Sequence, residues 1–201
     1  MNSEEMLFRH FGLNMDEGKT MRQISIDTGI AYMTLNRIIK ELGKKGLVNT
    51  KKQGKAIICA LNRNNPLTKQ HIILASDAFK NELIEKKPLL KEISRIIQAI
   101  TAQNTSAILF GSYAKSTEQK HSDIDIAIIS NTKETAKKIH AEFRTIEKIQ
   151  DIEINTMIFT EKQFKEMLAA KEENVGKQIM KNHAVMHNPE LFWNIVYEAK
   201  K

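Results

Sequence analysis

Two aspartates that stand one residue apart, Asp123 and Asp125, are the side chains of this sequence best suited to chemistry. They open an apolar run that ends at Ile129, and residues of equal parity in a strand point to the same side. Two neighbouring carboxylates repel each other and burial adds to that cost, so a cation between them would stabilise both. Oxygen ligands completed by water and phosphate suit Mg²⁺ better than Zn²⁺. The aspartate pair therefore predicts a Mg²⁺ site.

A glycine and a serine, Gly111 and Ser112, precede this pair with ten residues between. Glycine lets the backbone come close to a ligand, and serine offers a hydroxyl and an amide where a short helix is predicted to begin. Both features suit phosphate groups. The segment from Phe110 to Ile129 thus predicts a site for a metal ion and a nucleoside triphosphate (NTP).

This pattern resembles the signature of the polymerase-β-like nucleotidyltransferases, in particular the minimal nucleotidyltransferases of prokaryotes. The residues at matching positions are Gly111, Ser112, Ala114, Ser122, Asp123 and Asp125. The sequence differs at Lys115 and Ser116, where the family often has Arg and Gly, and lysine lacks the planar fork of arginine. The resemblance implies two Mg²⁺ ions on the aspartate pair and nucleotide contacts from Gly111, Ser112, Lys115 and Ser122.

The family also needs a third carboxylate on a later strand. Glu153 lies between two isoleucines in a run from Ile152 to Phe159 that predicts a strand. Asp151 has the same parity but stands at the edge of the run. We therefore predict Glu153 as the third catalytic and metal-binding residue, with Asp151 as the alternative.

The N-terminal part of the chain has a different pattern. Ser3 and Thr20 are predicted to cap two helices, and a third helix begins after Ile30 and ends near Gly43. Two short helices joined by a turn that contains glycine are typical of a helix-turn-helix. Two predicted strands follow, Leu47 to Lys51 and Lys55 to Leu61, and form a wing. This part resembles the winged helix-turn-helix domain of prokaryotic transcription regulators.

Charge in this part favours a polyanionic partner. The chain carries a formal net charge of +7, and residues 40–69 contain eight basic residues against one acid, Glu41. In a winged helix, the third helix would enter the major groove of double-stranded DNA while the wing meets phosphates. The predicted DNA-binding residues are Tyr32, Thr34, Asn36, Arg37 and Lys40 on that helix, whose exposed face also includes Met33, and Lys51, Lys52 and Lys55 on the wing.

These elements predict an α+β fold with three parts. Residues 1–65 form the winged helix-turn-helix domain, residues 66–87 a helical linker that could serve as a dimer contact, and residues 88–201 the nucleotidyltransferase-like domain. The last part would hold a small mixed β-sheet with flanking helices and a helical end. Its predicted elements are strands 106–110, 124–129 and 152–159, helix 133–148 and a helix capped by Thr160.

Composition is that of a globular protein, with 41 % hydrophobic and 27 % charged residues. No apolar run approaches the length of a membrane helix. The N-terminus has acids where a signal peptide would have basic residues followed by a long apolar core. We therefore expect a cytoplasmic protein without membrane contact. Cys59 is the single cysteine. It predicts a buried thiol rather than a disulfide or a zinc ligand.

Two functions follow from the sequence. The first is a DNA-binding, Mg²⁺-dependent enzyme that transfers a nucleoside monophosphate from NTP to an acceptor hydroxyl and releases pyrophosphate, with a protein as one possible acceptor. The alternative is a transcription regulator, expected to be a homodimer, whose nucleotidyltransferase-like domain only senses a nucleotide or a partner protein without catalysis.

Overall fold

The computed structural model describes residues 1–15, 17–100, 104–131, 133–150 and 152–199. The chain divides into two compact units, Met1–Phe79 and Lys80–Lys201. Both contain helices and a small sheet, in agreement with the predicted α+β class. None of the described helices is long and apolar enough to cross a membrane.

Local capping sets the start of the first helices. Asn2, not the predicted Ser3, caps α1, because its side chain accepts a hydrogen bond from the Glu5 amide at 2.9 Å while the Glu5 carboxylate accepts one from the Asn2 amide. Thr20 caps α2 as predicted. Gly29, with φ of 71°, ends α2 in a left-handed conformation that favours glycine. The helices are α1 Ser3–Leu13, α2 Met21–Thr28 and α3 Tyr32–Lys44.

A small antiparallel sheet completes the first unit. A short strand, β1 (Lys19–Thr20), pairs with β3 (Ala56–Leu61), which in turn pairs with β2 (Val48–Gln53). Strand β2 extends two residues beyond the predicted end at Lys51, and the turn to β3 contains Gly54 with φ of 60°. The two strands predicted after Gly46 are therefore present as a β-hairpin.

Two helices follow, α4 (Pro66–Lys86) and α5 (Pro88–Ile100), each of which has a proline at its first position. The boundary between the two units falls within α4. In the first unit, His71 of α4 stacks on Phe8 of α1 with ring centroids 4.6 Å apart. The beginning of the predicted linker thus contributes to the core of the first unit.

The sheet of the second unit has the strand order β6-β5-β4-β7 among the residues that the structure describes. Strands β5 and β6 are parallel, and the other neighbours are antiparallel. Every residue of β4 is buried, and so is nearly all of β5. The strands are β4 Thr105–Phe110, β5 Ile124–Ser130, β6 Ile154–Phe159 and β7 Ala184–His187.

Strand β7 corrects the prediction of a helical end. Val185 and Met186, expected in helices, lie in this strand, and Val185 pairs with Ile108 of β4. An apolar run of three residues, Ala184 to Met186, is too short to tell a buried strand from a helix, and the pairing partner of this strand is far away in sequence. The helices of this unit that follow β4 are α6 Gly111–Lys115, α7 Lys133–Gln150, α8 Glu161–Ala169, capped by Thr160 as predicted, α9 Val175–Lys181 and α10 Pro189–Ala199.

Candidate functional site

The aspartate pair lies at the beginning of the central strand β5. Asp123 directly precedes the strand and is exposed, whereas Asp125 is its second residue and is half-buried. Ile124, Ile126 and Ile128 are fully buried on the alternate positions. The buried isoleucines fix the register of β5, so both carboxylates are directed to one side at the same end of the sheet.

Gly111 forms the other wall of the site. In the antiparallel register Phe110 lies opposite Asp125, so Gly111 follows at the point where β4 ends. Gly111 has φ of 69°, and a Cβ atom on it would overlap the Asp125 carboxylate and approach its Cγ to 3.1 Å. Only glycine provides both this conformation and this space. The glycine that the sequence associates with phosphate binding therefore also makes room for the Asp125 carboxylate.

Burial raises the pKa of the Asp125 carboxyl. A hydrogen bond from Asn155 lowers this pKa, while the nearby charge of Asp123 raises it further, and the net change is upward. The folded chain therefore disfavours the ionised form of Asp125. A cation bound to the pair would favour the ionised form and so lower this pKa.

Asn155 is a residue of this site that the sequence reasoning missed. It is directly in register with Asp125 in the parallel β5–β6 pair, and its side-chain Nδ2 lies 3.4 Å from Oδ2 of Asp123. Its amide therefore reaches both carboxylates and offsets part of their repulsion. The sequence could have indicated this residue, because Asn155 stands two residues after Glu153, and side chains two residues apart in an extended chain point to the same side.

Glu153 lies one residue before β6, because the strand begins at Ile154 and not at the predicted Ile152. Its carbonyl oxygen accepts a hydrogen bond from the Ile124 amide at 2.9 Å, so its backbone runs beside the start of β5. Its side chain is exposed. Within the described ranges, no three His, Cys, Asp or Glu side chains are grouped closely enough to hold one metal ion. Glu153 as third ligand stays a prediction, and Asp151 lies outside the described residues.

The residues expected to contact nucleotide surround Gly111. Ser112 is half-buried in α6 and Lys115, the last residue of α6, is exposed. Ser116 follows in the left-handed region, with φ of 55° and ψ of 39°, which explains why the family often has glycine there. The Ser122 hydroxyl accepts a hydrogen bond from the Gln119 amide at 2.8 Å and closes the turn before Asp123.

An ion pair holds the loop between α6 and β5. Nζ of Lys87, just before α5, lies 2.5 Å from Oε1 of Glu118 and 5.4 Å from the centre of the Tyr113 ring. Lys87 is only 16 % exposed, so solvent screens this pair less than a surface pair. The loop that joins Ser112 to Asp123 is therefore anchored on the body of the second unit.

The predicted DNA-binding residues of the first unit differ in exposure. Arg37 and Lys40 of α3 are exposed and Tyr32 is 46 % exposed, whereas Thr34 and Asn36 are half-buried. Lys51 and Lys52 in β2 and Lys55 in the turn that follows are all exposed. All of the cationic candidates are therefore exposed, whereas Tyr32 is the only exposed one among the uncharged candidates.

Comparison with known proteins points to the second unit. No curated protein and no solved structure shows significant similarity to the chain. Residues 91–188 match the model of a family described as "Polymerase beta, Nucleotidyltransferase". This range includes Gly111, Asp123, Asp125 and Asn155 and all four strands of the sheet formed by β4 to β7. Residues 91–188 are thus similar to the polymerase-β-like nucleotidyltransferases.

Proposed function

We propose that the second unit transfers a nucleoside monophosphate from NTP to an acceptor hydroxyl and releases pyrophosphate in a Mg²⁺-dependent reaction. The observation that carries this proposal is the aspartate pair at the start of β5, inside the region that matches the nucleotidyltransferase family, with the Asp125 carboxylate packed against Gly111. Nucleotidyl transfer is the chemistry that this family match suggests, and the two carboxylates are suitable oxygen ligands for Mg²⁺.

The residues present fit a divalent cation. Asp123 and Asp125 are adjacent carboxylates, and the raised pKa of Asp125 reflects a negative charge that its surroundings leave unbalanced. We assign both as ligands and keep Glu153 as the third. Bound Mg²⁺ would lower the pKa of the acceptor hydroxyl and stabilise charge on the attacking and leaving oxygens.

The remaining residues bind and orient. Gly111 and Ser112 are the proposed contacts of the β- and γ-phosphates, and Lys115 offers a flexible positive charge beside them. Ser122 keeps the turn before Asp123 closed through its hydrogen bond with Gln119. Asn155 holds the two carboxylates together on β5. The site therefore positions the donor nucleotide mainly through backbone and short side chains.

The test is incubation of the full chain with Mg²⁺ and each α-labelled NTP, with and without a prokaryotic cell extract that supplies protein and small-molecule acceptors. We expect label to be transferred by the native chain and not by the Asp123→Asn/Asp125→Asn variant. Label that is transferred equally by both would refute the assignment of the aspartates. Protease digestion of the labelled product then distinguishes a protein acceptor from a small molecule.

A second function is proposed for the first unit, which is binding of double-stranded DNA by a winged helix-turn-helix. Its element order of helix, strand, helix, helix and β-hairpin supports this assignment. The exposed Arg37 and Lys40 on α3 and the wing lysines supply positive charge for phosphates. Gel-shift titration of a random duplex pool tests it, and absence of any complex at low salt would refute it.

Two observations favour a regulator without turnover as the alternative. Among the described residues no third acid joins the pair, and Lys115 and Ser116 depart from the family pattern. In this case the chain would bind NTP, transfer nothing with any acceptor, and change its affinity for DNA when nucleotide is bound.

Ultracentrifugation of the complex with DNA would test the expected homodimer.

A further inference from the structure

Three large apolar side chains are exposed where α2 meets α3 along the chain. Met33 is 76 % exposed, Ile26 67 % and Tyr32 46 %. We call these three residues the apolar corner. Ile26 lies in the last turn of α2, and Tyr32 and Met33 open α3 after a three-residue turn. Three of the eight large hydrophobic side chains exposed in the described part of the chain thus fall within eight consecutive residues.

The fold does not need these side chains. The inner faces of α2 and α3 are supplied by other residues, which are at most 3 % exposed: Met21, Ile24, Leu35, Ile39 and Leu42. Exposed apolar groups gain nothing from folding, whereas a cluster of them is a common mark of an interaction surface. We therefore expect the apolar corner to contact a partner molecule.

The charges around the corner indicate what kind of partner it is. Along α3 the exposed face continues from Met33 to Arg37, Lys40 and Lys44, at helical spacing. The exposed acids nearest in sequence are Asp27, whose Oδ1 accepts a hydrogen bond from Gln23 at 2.6 Å, and Glu41. A surface with an apolar tip and a cationic continuation is complementary to a partner that has apolar groups beside regularly spaced negative charges.

We propose that the apolar corner reads thymine methyl groups in the DNA major groove, so that the chain prefers sites with thymines under the start of α3. This inference rests on the DNA binding proposed above. Among the base edges in the major groove, the thymine C5-methyl is the one apolar group. The unbranched thioether of Met33 adapts to irregular surfaces, which suits a contact of this kind.

The experiment removes methyl groups and nothing else. Duplexes that bind the full chain are first selected from a pool with a random centre, and a selected duplex is then synthesised with thymidine or with deoxyuridine at each position. At constant salt we expect deoxyuridine to weaken binding by about three- to fivefold for each methyl group that the corner buries. Deoxyuridine outside the protected region should have no effect.

Two variants complete the test. Met33→Ser should reduce or remove the difference between thymidine and deoxyuridine duplexes, and Ile26→Ser should act in the same direction. Lys51→Ala, the matched control, should weaken binding to both duplexes and leave their ratio unchanged. Circular dichroism checks that each variant is folded.

The outcomes separate this inference from the function on which it rests. A native chain that binds selected duplexes but has equal affinity for the thymidine and deoxyuridine forms would overturn the methyl contact alone. Selected sites that contain no thymine would overturn it as well. A chain that binds no duplex at low salt would overturn the DNA-binding proposal, and this inference with it.

Discussion

At the scale of residues, the proposed metal site costs the metal-free chain stability. The folded chain raises the pKa of Asp125 by burial and by the charge of Asp123, against the opposing effect of Asn155. A carboxyl with a raised pKa in the folded state favours folding most below its unfolded pKa, and this contribution is lost as the pH rises through the folded pKa. Ionised Asp125 therefore destabilises the metal-free protein near neutral pH.

Asp125→Asn should for this reason stabilise the second unit at neutral pH when divalent metals are chelated. The gain should shrink as the pH falls below the folded pKa of Asp125, because the native side chain is then neutral as well. Urea unfolding followed by the fluorescence of Trp193, the only tryptophan and 2 % exposed, measures it. Glu142→Gln, on the exposed surface of α7, is the control. A variant less stable than the native chain at pH 7 would contradict this account of Asp125.

Ser116 carries backbone strain that glycine would relieve. Its left-handed conformation costs an L-residue roughly 1–2 kcal/mol, and glycine would remove this cost. Glycine also gives the unfolded chain more conformational freedom, which offsets part of the stabilisation. Ser116→Gly should therefore stabilise the second unit by about 0.5–1 kcal/mol in the same fluorescence measurement.

Gly29 offers the matched reverse substitution in the first unit. It has φ of 71° and nothing lies within 4 Å of a Cβ atom placed on it, so Gly29→Ser introduces strain without a clash. This variant should lose about as much stability as Ser116→Gly gains. If both substitutions stabilise their units, or both destabilise them, left-handed strain does not explain both positions.

At the scale of elements, α3 begins without a side-chain cap. Its N-cap residue is Ala31, which makes no capping hydrogen bond, whereas Thr20 caps α2. Ala31→Ser should increase the free energy of unfolding of the first unit by about 1 kcal/mol, and Thr20→Ala should decrease it by a similar amount.

Cys59 provides the measurement for the first unit. It is the only cysteine, it is fully buried in β3, and burial raises its pKa to about 11. Alkylation of this thiol in a urea series therefore reports unfolding of the first unit, while Trp193 reports the second. An unchanged urea midpoint of Cys59 labelling in the Ala31→Ser variant would contradict the capping argument.

Elements determined by neighbouring residues could be predicted from the sequence, and those determined by distant pairing could not. Thr20 and Thr160 mark helix starts through hydrogen bonds within three residues, and Gly29 marks a helix end through its left-handed backbone. Strand β7 depends on β4, and the role of Asn155 depends on the register between β5 and β6. The aspartate pair and Gly111 were identifiable because their spacing forms a local motif, whereas the overlap between them appears only in the folded chain.

At the scale of the whole molecule, the charge of the first unit should determine how the proposed DNA binding depends on salt. If Lys51 and Lys52 each contact a phosphate, Lys51→Ala/Lys52→Ala should reduce the slope of log affinity against log salt by about 2. Lys137→Ala/Lys138→Ala, which removes two exposed lysines of α7, should leave the slope unchanged. Equal slopes for all three proteins would remove the wing from the interface.

The central claim is that Asp123 and Asp125 hold a divalent cation together with NTP, and calorimetry tests it without knowledge of the acceptor. Mg²⁺ and a non-hydrolysable NTP analogue are titrated into the native chain and into the Asp123→Asn/Asp125→Asn variant. We expect nucleotide binding that requires Mg²⁺ in the native chain and is at least about tenfold weaker in the variant. Equal, Mg²⁺-independent binding to both proteins would contradict the claim.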